Sequence, residues 1–311
     1  MSFPKVTVVG AGQVGATAAE LLVLHGIADV VMIDVAEGIP QGKALDMMHL
    51  RSVERFGPRV TGTNDYADTA ASDVVVITAG LPRKPGMTRD DLLAANSEIM
   101  RSVIARAVEA SPDAVFVCVT NPLDIMTYLA WKESGLPSSR VLGMGGVLDS
   151  ARFAFAVAEK TGAPITEIEA LAMGAHGDAM VPMPRFTTIN GVPITDLLPA
   201  ADVEALVDRT VFGGAEVVAL LKTGSAFYAP AGSIVAMVRA ILADSGETLP
   251  SCVYLNGEYG IEDVYLSVPA MLGRDGVRGI VTLPLTDAEL DSLQTSAATV
   301  AQAVDALGLR G

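Results

Sequence analysis

The chain contains three histidines, His25, His49 and His176, and one of them stands in a setting suited to chemistry. The stretch MGAHGDAMVP sets His176 between a glycine and a Gly-Asp pair, where no regular helix can run, so its ring is free to enter a cleft. Imidazole, with an unperturbed pKa near ~6.5, exchanges a proton with a hydroxyl at neutral pH. It needs an orienting partner. Asp178 is near in sequence, but Asp149 in GVLDSAR is the stronger candidate, because it opens a helix whose next turn offers Arg152. Residues three apart share a helical face, so both side chains can point into one pocket. For an isolated D-x-x-R the commoner outcome is a surface ion pair. His25 falls at the end of the first helix beside Gly26, where a cation suits the dipole, and His49 in ALDMMHLR has no evident acidic partner, so both read as structural.

A second feature is electrostatic. LPRKPGMTRDDL places Arg83, Lys84 and Arg89 within seven positions of a chain whose formal net charge is −15. Such a local reversal of sign is what a small anionic ligand needs. The following MTRDDLLAANSEIMRSVIARAV reads as a helix: Thr88 caps it, Asp91 completes a capping-box-like pair, and Leu92, Ile99, Val103 and Ala107 form an apolar stripe. Arg89 then occupies the first turn, where the macrodipole disfavours a cation, which suggests a use. Pro82, Pro85 and Gly86 make the preceding loop stiff at two points and pivoting at one, consistent with a lid.

A third feature is the glycine pattern GAGQVG directly after the first strand-like run. Gly10 permits a tight turn, Gly12 lets the backbone approach a pyrophosphate, and Gly15 lets helix and strand pack closely. The helix start presents unpaired N–H groups and a positive dipole end to phosphate. Alone the pattern is weak; Asp34, at the end of the next strand, strengthens it. Its carboxylate accepts hydrogen bonds from a ribose hydroxyl and repels a 2′-phosphate, which favours NAD over NADP.

These residues need elements to hold them. Short, continuously apolar runs, KVTVVG (5–10), DVVMID (29–34), RVTG (59–62), SDVVVITAG (72–80) and DAVFVCVTN (113–121), alternate with helical stretches. Strands buried on both faces read this way, so the first half is expected to be α/β, a Rossmann doubly wound parallel sheet. From about residue 145 the pattern becomes α+β: a helix VLDSARFAFAVAEKTG, a β-rich stretch from Ile168 to Ile194, two long helical segments, a strand-rich part and a helix from about Thr286. The expected division is an NAD-binding domain over 1–144 and an α+β catalytic domain over 145–311, tightly packed, with the site between them.

Bulk composition narrows the rest. With 36 acidic against 21 basic residues and no basic block, nucleic acid and anionic membranes are unlikely partners. No apolar run reaches the roughly 18 residues of a membrane span. The start MSFPKVTVVGAG lacks the features of a secretory signal, and the chain is expected to be cytoplasmic. Cys118 and Cys252 exclude a disulfide framework and a Cys-rich metal site, and no metal is expected.

GAGQVG, Asp34, LPRKPGMTRDDL, VTNPLD, GVLDSAR and GAHGD, in this order and spacing, resemble the lactate/malate dehydrogenases along essentially the whole chain. The resemblance implies that His176 is the proton donor and acceptor, that Asp149 holds its imidazole, and that Arg152 binds the substrate C1 carboxylate. It implies that Asn121 hydrogen-bonds the substrate oxygen and helps place the nicotinamide, and that Arg89 polarises the carbonyl under a closing loop. Cofactor contacts are expected at Gly10, Gly12, Gln13, Val14, Gly15, Asp34, Asn96 and Asn121. Arg83 stands where lactate dehydrogenases typically carry glutamine, so a dicarboxylate, malate or oxaloacetate, is the implied substrate. KTGSAFYAPA resembles the family's substrate-side helix, with small Ala226 leaving room for the larger acid. The match is closest to the lactate-dehydrogenase-like malate dehydrogenases, for which a homotetramer is expected and a dimer is the alternative. The competing readings are an L-lactate or other 2-hydroxyacid dehydrogenase, and a non-catalytic NAD-binding sensor.

Overall fold

The computed structural model describes residues 3–82 and 89–310, with Arg89 and Asp90 described by their backbone alone. Arg83, Lys84, Pro85, Gly86 and Thr88 lie outside the described residues, as does the side chain of Arg89. The chain divides into two compact units: residues 1–144, 227–247 and 272–278 form the first, and residues 145–226, 248–271 and 279–311 the second.

The first unit is built on six strands, β1 (Lys5–Val9), β2 (Asp29–Ile33), β3 (Val60–Thr63), β4 (Val74–Ile77), β5 (Val115–Cys118) and β6 (Val141–Gly143). All pair in parallel in the order 3-2-1-4-5-6. Between them run helices α1 (Gln13–Leu24), α2 (Ile39–Glu54), α3 (Arg89–Ala110) and α4 (Leu123–Ser134). Every residue of β4 and β5 is buried, because helices cover both faces and each side chain must be apolar. The sixth strand escapes sequence reading: three residues, VLG, are too short to show a pattern. Helix α8 (Tyr228–Leu242), from the second half of the sequence, packs on α1.

The sequence-predicted helix after the basic loop is α3, but its buried face is rotated from the expected stripe. Met100, Val103, Ile104 and Ala107 are buried together with Asn96 and Ser97, whereas Leu92 and Ile99 are only half-buried. Cys118 and Cys252 are both fully buried free thiols, and burial pushes the Cys118 thiol up to about 12, which leaves it unreactive.

The second unit starts with α5 (Gly146–Thr161), followed by β7 (Ile168–Glu169), β8 (Ala172–Gly174), β9 (Met180–Pro182), β10 (Thr188–Ile189) and β11 (Val192–Pro193). The short α6 (Ile194–Leu197) and long α7 (Ala200–Leu221) come next, then the antiparallel strands β12 (Thr248–Asn256) and β13 (Glu262–Gly273) and α9 (Asp287–Ala306); the last two residues of β13 and the first three of β14 (Gly276–Ile280) belong to the first unit. Phe153, Ala156 and Val157 on one face of α5 pack with Ile168, Ile194, Val203 and Leu206 as a core. The amphipathic spacing of α5 thereby leaves its first turn, with Asp149, at the edge of that core. Helix α7 ends at Leu221 and α8 begins at Tyr228, so Ala226 lies between the helices rather than on one, which corrects the helical reading of KTGSAFYAPA. Helix α9 begins with the capping box Thr286/Glu289. Among the described residues no helix is long and apolar enough to cross a membrane.

Candidate active site

In the first unit the strand order reverses between β1 and β4, and a cavity of about 570 Å³ opens at the carboxyl ends of those strands. Gly10, Gly12, Asp34, Asn64, Ile99 and Val103 are among the residues that line it. Ile99 is therefore half-buried because it forms cavity wall. The turn before α1 is held from several directions. Asp34 accepts from the Ala11 N–H at 2.7 Å through one carboxylate oxygen and from the Ala36 N–H at 3.0 Å through the other. Lys43 donates from Nζ to the Ala11 carbonyl at 2.7 Å, and Thr78 Oγ1 donates to the carbonyls of Val9 and Gly10 at 3.1 Å.

Gly15 illustrates why the motif needs glycine: a Cβ there would stand 2.0 Å from the Gly10 carbonyl oxygen. At Gly12 a Cβ would meet nothing within 4 Å, so the backbone there borders open space at the start of a helix. An uncapped helix start, bare backbone beside a cavity and a carboxylate at the next strand end fit a dinucleotide: phosphates on the N–H groups, ribose hydroxyls on Asp34. Gln13 is exposed and Val14 half-buried in the first turn of the same helix.

Asn96 is placed differently. It is 1% exposed, and its amide faces backbone: Oδ1 accepts from the Leu81 N–H at 2.8 Å, while Nδ2 donates to the carbonyls of Leu81 and Asn121 at 3.2 and 2.7 Å. It joins the loop after β4 to the loop after β5, where Asn121 precedes Pro122 across a cis peptide bond. Thr120 reinforces the junction by donating to the Ala79 carbonyl at 2.7 Å.

In the second unit two side chains converge on one carboxylate. His176 Nδ1 lies 2.9 Å from Asp149 Oδ2, and Arg152 Nη1 donates to Asp149 Oδ1 at 3.2 Å. Asp149 is 2% exposed, His176 14% and Arg152 19%, so this D-x-x-R is an interior pair and not the surface pair that is commoner for such spacing. An ionised carboxylate only accepts, so Nδ1 carries the proton and Nε2 is the nitrogen left to exchange one. The sequence builds this locally. The Gly146 N–H at the start of α5 donates to Ser267 Oγ at 3.1 Å, which fixes the turn bearing Asp149. One residue further, Ser150 Oγ accepts from the Ala172 N–H at 2.9 Å and ties α5 to β8, the strand leading to His176. The stem of Arg152 runs along Gly213 of α7, and a Cβ on Gly214 would stand 3.3 Å from its guanidinium.

His25 is the exposed C-cap of α1 and His49 is exposed on α2; neither meets the site. Asp178 keeps to the loop of His176, and it is Asp149 that contacts the Nδ1 nitrogen. Sequence reasoning missed Ser150, Ser267, Thr78, Thr120 and Lys43. Their hydroxyls and ammonium act on backbone groups far away in sequence, and no spacing announces that. Among the described residues no group of three His, Cys, Asp or Glu side chains could hold a metal ion.

A dinucleotide crevice on a parallel sheet, with a buried histidine–aspartate–arginine set in a separate α/β unit, defines a class: dehydrogenases that move a hydride and a proton together. Residues 4–143 match the lactate/malate dehydrogenase NAD binding domain, and residues 146–307 match the lactate/malate dehydrogenase alpha/beta C-terminal domain. The malate dehydrogenase of Nostoc punctiforme is 50% identical over 304 residues, covering 98% of this chain and 93% of that protein. Cryptosporidium parvum malate dehydrogenase superposes with a TM-score of 0.96 at 40% identity, over 99% of this chain and 100% of that one. The lactate dehydrogenase of the same organism, solved with lactic acid and nicotinamide adenine dinucleotide, gives 0.95 at 38% identity over the full length of both. The chain belongs to the lactate/malate dehydrogenase family, and its first unit carries that family's NAD binding domain.

Proposed function

We propose that this protein is an NAD-dependent malate dehydrogenase that interconverts (S)-malate and oxaloacetate, with His176 as general acid and base. The observation that carries the reading is the buried carboxylate of Asp149, shared between His176 and Arg152. A protein that merely binds NAD needs no such set, which speaks against a sensor. The naming of relatives about half identical over nearly the whole chain as malate dehydrogenases supports the same conclusion.

Residues 1–144 bind the cofactor, and residues 145–311 supply the proton chemistry. Gly10, Gly12, Gln13, Val14 and Gly15 receive the cofactor phosphates, and Asp34 takes the ribose hydroxyls. Bound NAD supplies the hydride acceptor, and NADH the donor. Arg152 pairs with the substrate C1 carboxylate, and Asn121 with the oxygen on C2. His176 Nε2 removes the malate hydroxyl proton as the hydride leaves C2, and the Asp149 carboxylate stabilises the imidazolium that forms. In the reverse direction the same proton returns to the carbonyl oxygen of oxaloacetate. Arg89 stabilises charge on that oxygen.

Arg83 decides between acids. Arginine pairs with the distal carboxylate of a four-carbon substrate; with pyruvate it stays desolvated and unpaired, at roughly 3–5 kcal/mol or two to four decades in rate. The enzyme is assigned to the cytoplasm and the tricarboxylic acid cycle. A homotetramer is favoured, with a dimer as the alternative; Ile39, Leu45 and Val53 on α2, each about half-exposed or more, are apolar surface that self-association would cover. NADH oxidation tests the assignment: oxaloacetate is turned over far faster than pyruvate, and Arg83→Gln narrows the ratio. Equal rates with the two acids, or a ratio untouched by Arg83→Gln, would reject it.

A further inference from the structure

Ser296, on the C-terminal helix α9, lies 121 positions from Ala175 in sequence yet touches both stems of the loop that carries His176. Its Oγ accepts from the Ala175 N–H at 2.8 Å and donates to the Ala179 carbonyl at 2.6 Å. A serine hydroxyl has one proton, so both bonds are satisfied together and their directions are fixed. The side chain is 3% exposed, which makes water a poor substitute for either bond.

The loop is short and carries two glycines at positive φ. It leaves β8 at Gly174 and enters β9 at Met180, the last residue pair of the two short strands. Gly174 sits at φ +86°, and a Cβ on it would lie 2.8 Å from Ser296 Oγ, so a side chain here would displace the hydroxyl. Gly177, the next residue after His176, also has a positive φ, +102°. Two adaptable backbone positions therefore flank the ring that must reach Asp149 at 2.9 Å, and neither fixes it. The hydroxyl closes the mouth of the loop from outside.

We infer that Ser296 is a positioning residue for His176: by bridging Ala175 and Ala179 it fixes the loop geometry that aims the imidazole at Asp149. The inference rests on the role of His176 given above. Among the described residues, Asp149 contacts the ring and Arg152 contacts Asp149, Asp178 follows two positions on in the same loop, and the two bonds of Ser296 go to backbone. Its effect is on placement alone.

The test compares Ser296→Ala with Leu293→Ala, which truncates a fully buried side chain on the same helix and removes neither bond to the loop. Ser296→Ala is expected to lower kcat for oxaloacetate about 10- to 100-fold. It is also expected to shift the pH profile of kcat/KM and to leave the Kd for NADH within about twofold. Leu293→Ala is expected to lower the melting temperature at least as much while keeping kcat and the pH profile of the parent. Parental kinetics in Ser296→Ala, or equal kinetic losses in the two variants, overturn the inference. If Ser296→Ala does not fold, Ser296→Thr, which keeps the hydroxyl, takes its place: parental kcat and pH profile support the bridge, and their loss overturns it. A His176→Ala control separates the two readings. Should that variant still reduce oxaloacetate, the role of His176 falls; should it be inactive beside a fully active Ser296→Ala, only the role of Ser296 falls.

Discussion

Replacing Asp149 by asparagine keeps size and shape but removes the charge on which two side chains converge. Either orientation of the amide is wrong for one neighbour. With its oxygen toward His176 Nδ1, the NH2 group faces the Arg152 donor across a position now bridged at 3.2 Å. With its oxygen toward Arg152, the NH2 group faces Nδ1 across 2.9 Å and forces the other tautomer, so that Nε2 is protonated at the outset. The imidazolium that forms as malate is oxidised also loses its counter-charge. Two unit charges about 4 Å apart interact by about 4 kcal/mol at an effective dielectric constant of about 20. The 2% and 14% exposures of the partners place them well inside the surface. About 4 kcal/mol is roughly three decades in rate. Asp149→Asn should therefore lower kcat for malate oxidation about 10³-fold, while NADH titration, which reads the other unit, gives a Kd within about twofold of the parent. The assay is steady-state NADH formation from malate, with circular dichroism to establish folding. A folded variant that loses less than about tenfold would refute the shared-carboxylate account.

Three further outcomes follow from the geometry. Gly15→Ala, which on helix propensity alone would stabilise, should instead cost about 1–3 kcal/mol in denaturant unfolding and weaken NADH binding, because its Cβ would meet the Gly10 oxygen at 2.0 Å. Asp34→Ser should narrow the preference for NADH over NADPH in a Kd comparison, since the carboxylate that repels a 2′-phosphate is gone; an unchanged ratio would remove Asp34 from cofactor choice. The forked contact of Arg185, at 2.9 and 2.8 Å, and the capping bonds from Thr286 hold the Glu289 carboxyl down to about 2, against an ordinary 4.5. A depressed carboxyl stabilises fully above its unfolded value and loses that contribution as pH falls toward its folded one. The melting-temperature gap between the parent and Glu289→Gln should accordingly be widest above pH 4.5 and close as the pH approaches about 2.

Much of this molecule is written in short-range pattern. Continuous apolar runs such as VVVI and VFVC can only be strands covered on both faces, and GAGQVG between a strand and a helix leaves little choice of fold. Spacing also brings Asp149 and Arg152 to one face of α5. What spacing does not carry is depth: nothing in D-x-x-R says that Asp149 is 2% exposed and shared with a histidine on the loop between β8 and β9. The loops at the strand ends are similarly silent. Asn96 reads as a polar helix residue open to a ligand, whereas its amide is committed to the backbone of Leu81 and Asn121. Ile99 reads as core and lines a cavity, because the buried face of α3 is set by where β4 and β5 end and not by the helix alone. Nothing in the spacing of the last helix singles out Ser296, and only the fold reveals that it meets the loop of His176.

The central claim is that His176 moves the proton while the other unit holds the cofactor, and it is tested most directly by measuring NADH affinity and oxaloacetate turnover side by side for His176→Ala. The account predicts a Kd for NADH within about twofold of the parent and a turnover lower by at least about two decades, the lower end of general acid–base catalysis. Turnover at the parental rate, with NADH bound equally well, would contradict it.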